Sequence, residues 1–371
     1  MTARPRIYLD HAATTPILPA AKAAMIEAME RWANPSSPHA EGRAARAALE
    51  DARERIKRAL GWTGELIFTS GATEAIEIAL KPWGPNVAPT HAEHDAVLRA
   101  AGHVDGPTNR LDGLYVDQQG LIEDRFRFEH RNDAPDIAAV QSVNNETGVI
   151  QPLIELRALI DACNRPNPYG HVSPVLLFSD CAQSAGKLPL PPADLVAISA
   201  HKLGGPPGAG ALLTRDFSLL QARGGQERGY RGGTENLPAI VGFAAALETQ
   251  QDWLPKAKEL RMHLEDRLSG AGAHIVASDA PRIPTIGAYR MPGVNAQVQL
   301  IHFDLSGISI SAGSACSSGS MRASHVLRAM GWDEASAGEV IRVSFGPDTS
   351  LFEVDAFCDT WIGLASRSRA A

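Results

Sequence analysis

Apolar residues recur at helical spacing in the first sixty positions of the chain. Over 19–33, the apolar residues Met25, Met29 and Trp32 lie opposite charged positions, a pattern typical of an amphipathic helix. A second apolar stripe predicts another helix over about 39–60. The chain is therefore expected to place two helices before its first buried strand.

Short runs that are apolar without alternation follow these helices. The runs occupy 65–69, 136–140, 175–178, 195–198 and 210–213. Strands that are apolar on both faces are typical of a mostly parallel sheet covered by helices. The pattern therefore predicts an α/β domain. After about residue 252, less regular helical and strand patterns predict a second, smaller domain.

Composition and charge restrict the classes of protein that fit this chain. Of its 371 residues, 44% are hydrophobic and 21% are charged, as in an ordinary globular protein. The net charge of −7 gives no indication of a nucleic acid or an anionic membrane as partner. No run reaches the roughly 18 apolar residues that a membrane span needs. The four cysteines include no C-x-x-C pair, so they predict neither a disulfide framework nor a zinc site, and a cytoplasmic location is the simplest expectation.

Two predicted strand ends carry side chains suited to a cofactor. Ser199, His201 and Lys202 follow one apolar run, and Asp180 follows another. A partly buried amine with a lowered pKa is what imine chemistry requires, although a single lysine at a strand end more commonly extends to solvent. A buried carboxylate can keep a pyridine nitrogen protonated, so the pair of Asp180 and Lys202 favours pyridoxal phosphate.

The segment Thr69–Glu74 places small residues where a predicted strand runs into a helix. Free backbone N–H groups and the helix dipole at such a position favour a phosphate group. An ordinary serine or threonine cap of the helix is the alternative interpretation. The segment matches neither the Walker pattern nor G-x-G-x-x-G, so it does not indicate a nucleotide.

Short motifs of small, polar and charged residues are spread along nearly the whole chain. They are YLDHAATT (8–15), TSGATE (69–74), EHDAV (93–97), VNNETG (143–148), DCAQS (180–184), SAHK (199–202), GGQERGYRGGTEN (224–236), GSACSS (313–318) and IRVSFG (341–346). Together these motifs resemble those of the NifS-like cysteine desulfurases, which are class V aminotransferases. The resemblance implies the aspartate-aminotransferase-like fold type I of pyridoxal-phosphate enzymes. It further implies a large domain over 16–252 with a mostly parallel seven-stranded sheet, and a smaller α+β domain formed by 1–15 and 253–371.

The resemblance also implies roles for individual residues. Lys202 would hold pyridoxal 5'-phosphate covalently, Asp180 would pair with the pyridinium nitrogen and His94 would stack on the ring. Asn34 and Arg342 would hold the substrate carboxylate. The remaining implied cofactor contacts are Ala72, Thr73, Asn145, Gln183, Ser199, His201 and Thr234. Because Thr234 would reach the phosphate of the partner subunit, the resemblance implies a homodimer.

Three of these residues have a plainer interpretation in the sequence itself. His94 also fits a helix cap, Asn145 also fits a turn residue, and Arg342 also fits an exposed arginine on a strand. The sequence does not decide between these interpretations and the roles that the resemblance implies.

Cys316 lies among small residues, over 311–315 and 317–320. Such neighbours do not pack as a core, so they predict an exposed loop with a reactive thiol, whereas an isolated cysteine is more commonly a small buried side chain. The resemblance implies conversion of L-cysteine to L-alanine with a persulfide on Cys316, and with Cys316, Lys202 and His94 as catalytic residues. The sulfur would pass to a protein acceptor such as an iron–sulfur scaffold, for iron–sulfur clusters or other sulfur-containing cofactors or tRNA.

Three other functions of the same fold are alternatives. A selenocysteine lyase differs little in these residues and stays open. A catalytically silent scaffold for sulfur relay would need none of Lys202, Asp180, His94 and Cys316, so their presence together argues against it. An aminotransferase would have no reason to carry a nucleophilic cysteine in a Gly/Ser-rich loop.

Overall fold

The computed structural model describes residues 6–30, 32–102, 113–123, 136–164, 174–249, 253–313 and 324–370. Cys316 lies outside the described residues, so its exposed loop stays a prediction. The strands are β1 (Ile7–Tyr8), β2 (Glu65–Thr69), β3 (Val87–Pro89), β4 (Ile137–Ala139), β5 (Leu176–Asp180), β6 (Leu195–Ser199), β7 (Gly210–Thr214), β8 (His274–Ile275), β9 (Ile286–Arg290), β10 (Ile308–Ser309), β11 (Ser311–Ala312) and β12 (Val340–Ser344). The α-helices are α1 (Pro19–Met29), α2 (Ala40–Leu60), α3 (Ala72–Leu80), α4 (Asp95–Ala100), α5 (Leu153–Cys163), α6 (Leu237–Glu248), α7 (Leu254–Gly270), α8 (Ala296–Leu305), α9 (His325–Ala329), α10 (Glu334–Ala337) and α11 (Leu351–Ala370).

The larger sheet has six strands in the described part of the chain, in the order β2-β7-β6-β5-β4-β3. The pairs from β6 to β3 are parallel, whereas β7 is antiparallel to both β2 and β6. A single parallel bridge between Thr90 and Leu114 extends the sheet beyond β3. The mostly parallel α/β sheet is confirmed. Among the described residues, this bridge at Leu114 is what stands at the position of the seventh predicted strand.

The strands of this sheet are buried on both faces. Val196 and Ile198 of β6 belong to the apolar cluster that includes α2 and α6, whereas Leu195 and Ala197 belong to the cluster that includes α3 and α4. Consecutive residues of a strand point to opposite faces, so each face is covered by its own set of helices. This is why the strands are apolar without alternation.

The apolar face predicted for α1 is only partly correct. The helix buries its small residues Ala21 and Ala28 and packs against α6. Met29 and Trp32, in contrast, are 58% and 81% exposed. Small side chains allow two helix backbones to approach closely, and this close approach selects the alanine face. The helix also ends at Met29, four residues before the predicted end.

The second part of the fold has a four-stranded antiparallel sheet in the order β11-β12-β9-β8. The short strand β1 pairs in parallel with β10, and Leu9 joins an apolar cluster with Leu264, Phe303 and Trp361. Two smaller clusters combine residues from both parts of the chain, so the domain boundaries at 15 and 252 stay a prediction. Within the described residues, no helix combines the length and apolar character that a membrane crossing requires.

Candidate active site

Lys202 lies at the carboxyl edge of the larger sheet, in a 3-10 turn that directly follows β6. Its Nζ donates to the backbone carbonyls of Ala12 and Ala13 at 2.7 and 2.8 Å. Burial and then the positive charge of Arg342 lower the pKa of this amine to about 8, against the opposing effect of Asp180. An appreciable fraction of the amine is therefore neutral and nucleophilic near neutral pH.

Asp180 ends β5, the strand next to β6, and its carboxyl group is buried. Oδ1 accepts a hydrogen bond from the N–H of Ala182 at 2.9 Å. Burial raises the pKa of Asp180, whereas the charges of His94 and Lys202 favour its ionised form. A buried carboxylate with so few partners gains much from a cation placed against it.

His94 is the N-cap of α4, and its Nδ1 accepts a hydrogen bond from the N–H of Ala96 at 3.2 Å. The neutral ring therefore carries its proton on Nε2. The side chain remains accessible to solvent on its open side, while desolvation by the surrounding protein lowers its pKa and Asp180 opposes that shift. The helix-cap interpretation is thus correct, and it leaves the ring face free for a stacking partner.

The start of α3 is suited to bind an anion. Gly71 precedes the helix, and no side chain in the described residues caps it there, so the N–H groups of Ala72 and Thr73 are available. The Ser199 hydroxyl lies 3.6 Å from where a Cβ on Gly71 would stand. A Cβ on Gly210 would lie 2.6 Å from the Gly71 Cα, so glycine at position 210 permits the close approach of β7.

His201 and Gln183 also lie at this carboxyl edge of the larger sheet. The Nδ1 of His201 lies 3.1 Å from the hydroxyl of Thr14, and burial and the charge of Lys202 lower its pKa to about 4, so the ring is neutral. Gln183 donates through Nε2 to the carbonyl of Ala12 at 2.9 Å. Its buried Oε1 has no hydrogen-bond partner among the described residues. Buried acceptors are normally paired, so Gln183 is a natural partner for a hydroxyl group of a ligand.

Arg342, in β12, is buried, and the interpretation of an exposed strand arginine is wrong. Its Nη1 donates to the carbonyl of Asn145 at 2.9 Å, and its Nη2 donates to Oδ1 of Asp10 at 2.8 Å. Asn145 lies in a turn, as its plainer interpretation predicts. Asn34 is exposed, and its Oδ1 accepts from the N–H of Ser36 at 2.8 Å. No contact in the described part of the chain joins Asn34 to Arg342.

Thr234 lies on the surface of the single chain, in the glycine-rich segment 224–236. That segment is fixed to the sheet by Glu227, whose carboxylate accepts from both terminal nitrogens of Arg53 at 2.8 and 2.9 Å and from the N–H of Phe68 at 2.8 Å. Glu227 and Arg228 have φ of 48° and 57°, which non-glycine residues rarely adopt. A firmly anchored segment therefore presents Thr234 to the outside.

Cys181 and Cys358 are buried thiols that do not supply a nucleophile. Burial raises the pKa of Cys181 and of Cys358 to about 12, so both remain thiols. The described residues also contain no cluster of histidine, cysteine, aspartate or glutamate that could hold a metal ion.

Several residues of the site were not predicted from the sequence. The acceptors of the Lys202 amine and the partner of Arg342 all lie in the YLDHAATT motif, which supported the resemblance but was given no role. Lys187 has a pKa lowered to about 8 by burial and by Lys202, and it follows the DCAQS motif closely. A charged residue inside an otherwise apolar or small motif was the signal that could have identified Asp10, whereas the backbone acceptors of Lys202 leave no such signal.

Pyridoxal phosphate fits the groups that meet at this edge. Lys202 offers an amine, Asp180 a carboxylate for the pyridinium nitrogen, and His94 an accessible ring face. Gln183 offers an unpaired acceptor and α3 an open helix start for the phosphate. These groups of one subunit thus fit the amine, ring and phosphate chemistry of the cofactor.

Comparisons with known proteins agree with this fit. The model of the family "Aminotransferase class-V" matches residues 7–357. The IscS-like cysteine desulfurase of Mycobacterium tuberculosis is 35% identical over 392 residues, which cover 98% of this chain and 97% of that protein. A NifS-like protein from Rickettsia africae superposes with a TM-score of 0.84 at 29% identity, covering 97% of this chain and 99% of the other. The structure of "SspA in complex with cysteine" gives a TM-score of 0.76 at 28% identity, covering 93% and 100%. The chain therefore belongs to the pyridoxal-phosphate-dependent aminotransferase class-V family, within its group of NifS- and IscS-like cysteine desulfurases.

Proposed function

We propose that this chain is a homodimeric cysteine desulfurase that converts L-cysteine to L-alanine and leaves the sulfur as a persulfide on Cys316. The observation that carries the proposal is the convergence of three groups at one sheet edge. The Lys202 amine, with its pKa of about 8, lies within the electrostatic reach of the Arg342 guanidinium and the Asp180 carboxylate. An amine, a guanidinium and a carboxylate so placed suit an amino-acid substrate.

Each of these residues has a definite task in the first half of the reaction. Pyridoxal phosphate, when bound, withdraws electrons from the α-carbon of the amino acid. The Nζ of Lys202, neutral in part at neutral pH, takes the α-proton as a general base. Asp180 holds the positive charge of the pyridinium nitrogen. Arg342 orients the substrate carboxylate through its planar guanidinium, whose Nε has no other partner in the described residues.

The second half transfers sulfur. The thiolate of Cys316 attacks the sulfur of the substrate, and a sulfur–sulfur bond forms as the carbon–sulfur bond breaks. The electron pair of that bond stays on carbon, which takes up a proton and leaves as L-alanine. L-cysteine and the enzyme thiol thus give L-alanine and an enzyme persulfide, without an external oxidant or reductant. A protein acceptor, such as an iron–sulfur scaffold, then receives the sulfur.

Two surface features support the homodimer. Thr234 is exposed on a firmly anchored segment, where it can reach the phosphate of a second subunit. Helix α1 and the short segment that follows it expose three large apolar side chains, Ile26, Met29 and Trp32, at 57%, 58% and 81%. Apolar side chains grouped on one surface are typical of an interface.

The proposed function is tested by the variant Cys316→Ser, with Cys358→Ser as the matched control. A serine hydroxyl is far less nucleophilic than a thiolate, so Cys316→Ser should still exchange the substrate α-hydrogen with deuterium but release no alanine above background. The control changes a buried thiol of α11 and should retain turnover. Mass spectrometry of the parent after L-cysteine should show one added sulfur on the peptide containing Cys316.

Two results would overturn the assignment. Alanine release by Cys316→Ser at the parent rate would remove the nucleophile from Cys316. Turnover of L-selenocysteine by Cys316→Ser, with little use of L-cysteine by the parent, would instead identify a selenocysteine lyase.

A further inference from the structure

Glu146 is a buried carboxylate with no task in the reaction described above. It is 4% exposed and lies in the turn directly after Asn145. The segment 314–323, which contains Cys316, is flanked by Gly313 and Ser324. Ser324 donates a hydrogen bond to the Glu146 side chain, and the backbone of Gly313 passes close beside the same carboxylate, so the two ends of that segment meet there.

The contacts at Glu146 are specific. The hydroxyl of Ser324 donates to Oε2 of Glu146 at 2.5 Å and accepts from the N–H of Leu327 at 3.1 Å, where it caps α9. A Cβ on Gly313 would lie 2.1 Å from the same Oε2 and 3.3 Å from the Ser324 Cβ. Only glycine at position 313 therefore lets the chain pass this close to the carboxylate.

The backbone of Glu146 belongs to a turn that also contacts Arg342. Oδ1 of Asn144 accepts from the N–H groups of Glu146 and Thr147 at 2.9 and 2.8 Å, which holds the turn rigid. The neighbouring carbonyl of Asn145 accepts from Arg342. One short turn thus links the guanidinium of Arg342 to both ends of the segment with Cys316.

A buried carboxylate at this position destabilises the fold unless other groups compensate its burial. Burying a charge away from water costs several kcal/mol unless hydrogen bonds and opposite charges offset it. At Glu146 the Ser324 hydroxyl and the charges of His325 and Arg342 offset the burial in part. A small apolar side chain would fill the space at lower cost, so the carboxylate has a purpose beyond packing.

We propose that Glu146 is a positioning residue that fixes both ends of the segment containing Cys316 to the turn beside Arg342, and thereby sets the geometry of sulfur transfer. The inference rests on the proposed desulfurase function. In the described part of the chain, Glu146 makes no hydrogen bond to the Lys202 amine. Its loss should therefore slow the transfer of sulfur to Cys316 while the removal of the α-proton continues.

The test compares the variants Glu146→Ala, Glu146→Gln, Ser324→Ala and Glu146→Ala/Ser324→Ala, each as holoenzyme. Misplacement of a reacting group by about 1 Å costs up to roughly a hundredfold in rate. Glu146→Ala should thus lower single-turnover persulfide formation roughly ten- to a hundredfold, with α-deuterium exchange within about twofold of the parent. Glu146→Gln keeps an acceptor oxygen and should recover most of the rate. The double variant should be no slower than Glu146→Ala, because the two groups act through one hydrogen bond.

Asp194→Asn is the matched control. Asp194 is another buried acid, paired with Arg157 and Arg215 at the start of β6, and its loss should lower thermal stability without changing the ratio of persulfide formation to exchange. An unchanged ratio in Glu146→Ala, or additive losses in the double variant, would refute the positioning role.

A second readout separates this inference from the proposed function. The rate at which iodoacetamide alkylates Cys316 in the absence of substrate reports the placement of the thiol, and Glu146→Ala should change it at least about threefold. An unchanged alkylation rate refutes the positioning role even if the parent enzyme forms a persulfide. A parent enzyme that forms no persulfide refutes the proposed function, whatever the alkylation rates show.

Discussion

The lowered pKa of Lys202 gives a prediction that can be measured on the apoprotein. An amine with a pKa of about 8 instead of 10.5 is neutral at pH 7 in roughly one molecule in ten, instead of roughly one in three thousand. The neutral fraction, and with it the intrinsic reactivity toward an acylating reagent, is thus roughly 300-fold higher. Partial burial of the amine lowers its acylation rate by a factor that does not depend on pH. The midpoint of the pH profile, which this factor leaves unchanged, is therefore the quantity to measure.

Competitive acetylation of the apoprotein, read by mass spectrometry of the peptide containing Lys202, gives this midpoint directly. The exposed Lys258 serves as an internal reference for the reagent. We expect the acetylation midpoint of Lys202 in the parent protein near pH 8. Arg342→Ala should raise this midpoint, because the Arg342 charge lowers the pKa of Lys202. Asp180→Asn should place the midpoint below that of the parent, because the Asp180 charge raises the pKa of Lys202.

Stability gives an independent check with a definite sign. Between pH 8 and 10.5 the unfolded Lys202 amine binds a proton that the folded amine has already lost. The contribution of this group to apoprotein stability therefore rises with pH across that window and is flat below it. An acetylation midpoint above pH 9.5, or movement of both variants in the same direction, would refute the electrostatic argument.

Three further predictions concern the substrate, the interface and the glycine-rich segment. Arg342→Ala should raise KM for L-cysteine about ten- to a hundredfold and retain the cofactor, because the loss of a charged hydrogen-bonding partner costs about 1.5–3 kcal/mol. An unchanged KM in steady-state assays would place the carboxylate contact elsewhere. Thr234→Val should leave the sedimentation coefficient of the dimer unchanged and speed the loss of pyridoxal phosphate on dialysis. A fully active monomer with normal cofactor content would contradict the shared site. Glu227→Ala should lower the free energy of unfolding by about 3 kcal/mol, because buried Arg53 loses its buried partner and keeps only Glu50 and the Leu66 carbonyl as hydrogen-bonding partners among the described residues. A loss below about 1 kcal/mol in urea titration would show that the pair does not anchor the segment.

Much of the larger sheet could be predicted from the sequence because its strands are buried on both faces. Continuous apolar runs gave β2 with both ends correct and β7 to within one residue. The second helix, predicted over about 39–60 from its apolar stripe, was also predicted well, and Gly61 ends it in the left-handed conformation at φ 64°. The buried face of α1 was not predicted correctly. Which face is buried depends on how closely α6 approaches the alanines, and no local sequence pattern encodes that distance.

Site residues that directly follow a strand could be predicted from the sequence. Site residues whose partner lies far away along the chain could not. Lys202 and Asp180 stand at strand ends, and the order of strands in the sheet brings them together. The pairing of Arg342 with Asp10 joins residues separated by 332 positions, and no spacing rule in one sequence reveals such a pair. Glu146 was passed over for the same reason, because its partners lie far along the chain.

The position of Asp10 has a consequence for how the protein is made. Translation adds roughly 5–20 residues per second, so Asp10 leaves the ribosome roughly 20–70 seconds before Arg342, its partner 332 positions away. Leu9 is fully buried in the finished protein, and its apolar cluster starts to form only when Ala257 and the residues after it have been synthesised. A nascent chain must therefore keep its first strand unpaired, or shielded by a chaperone, until β10 and β12 have been synthesised. Ribosome-stalled chains that stop before β12 should consequently be captured by chaperones through this first segment.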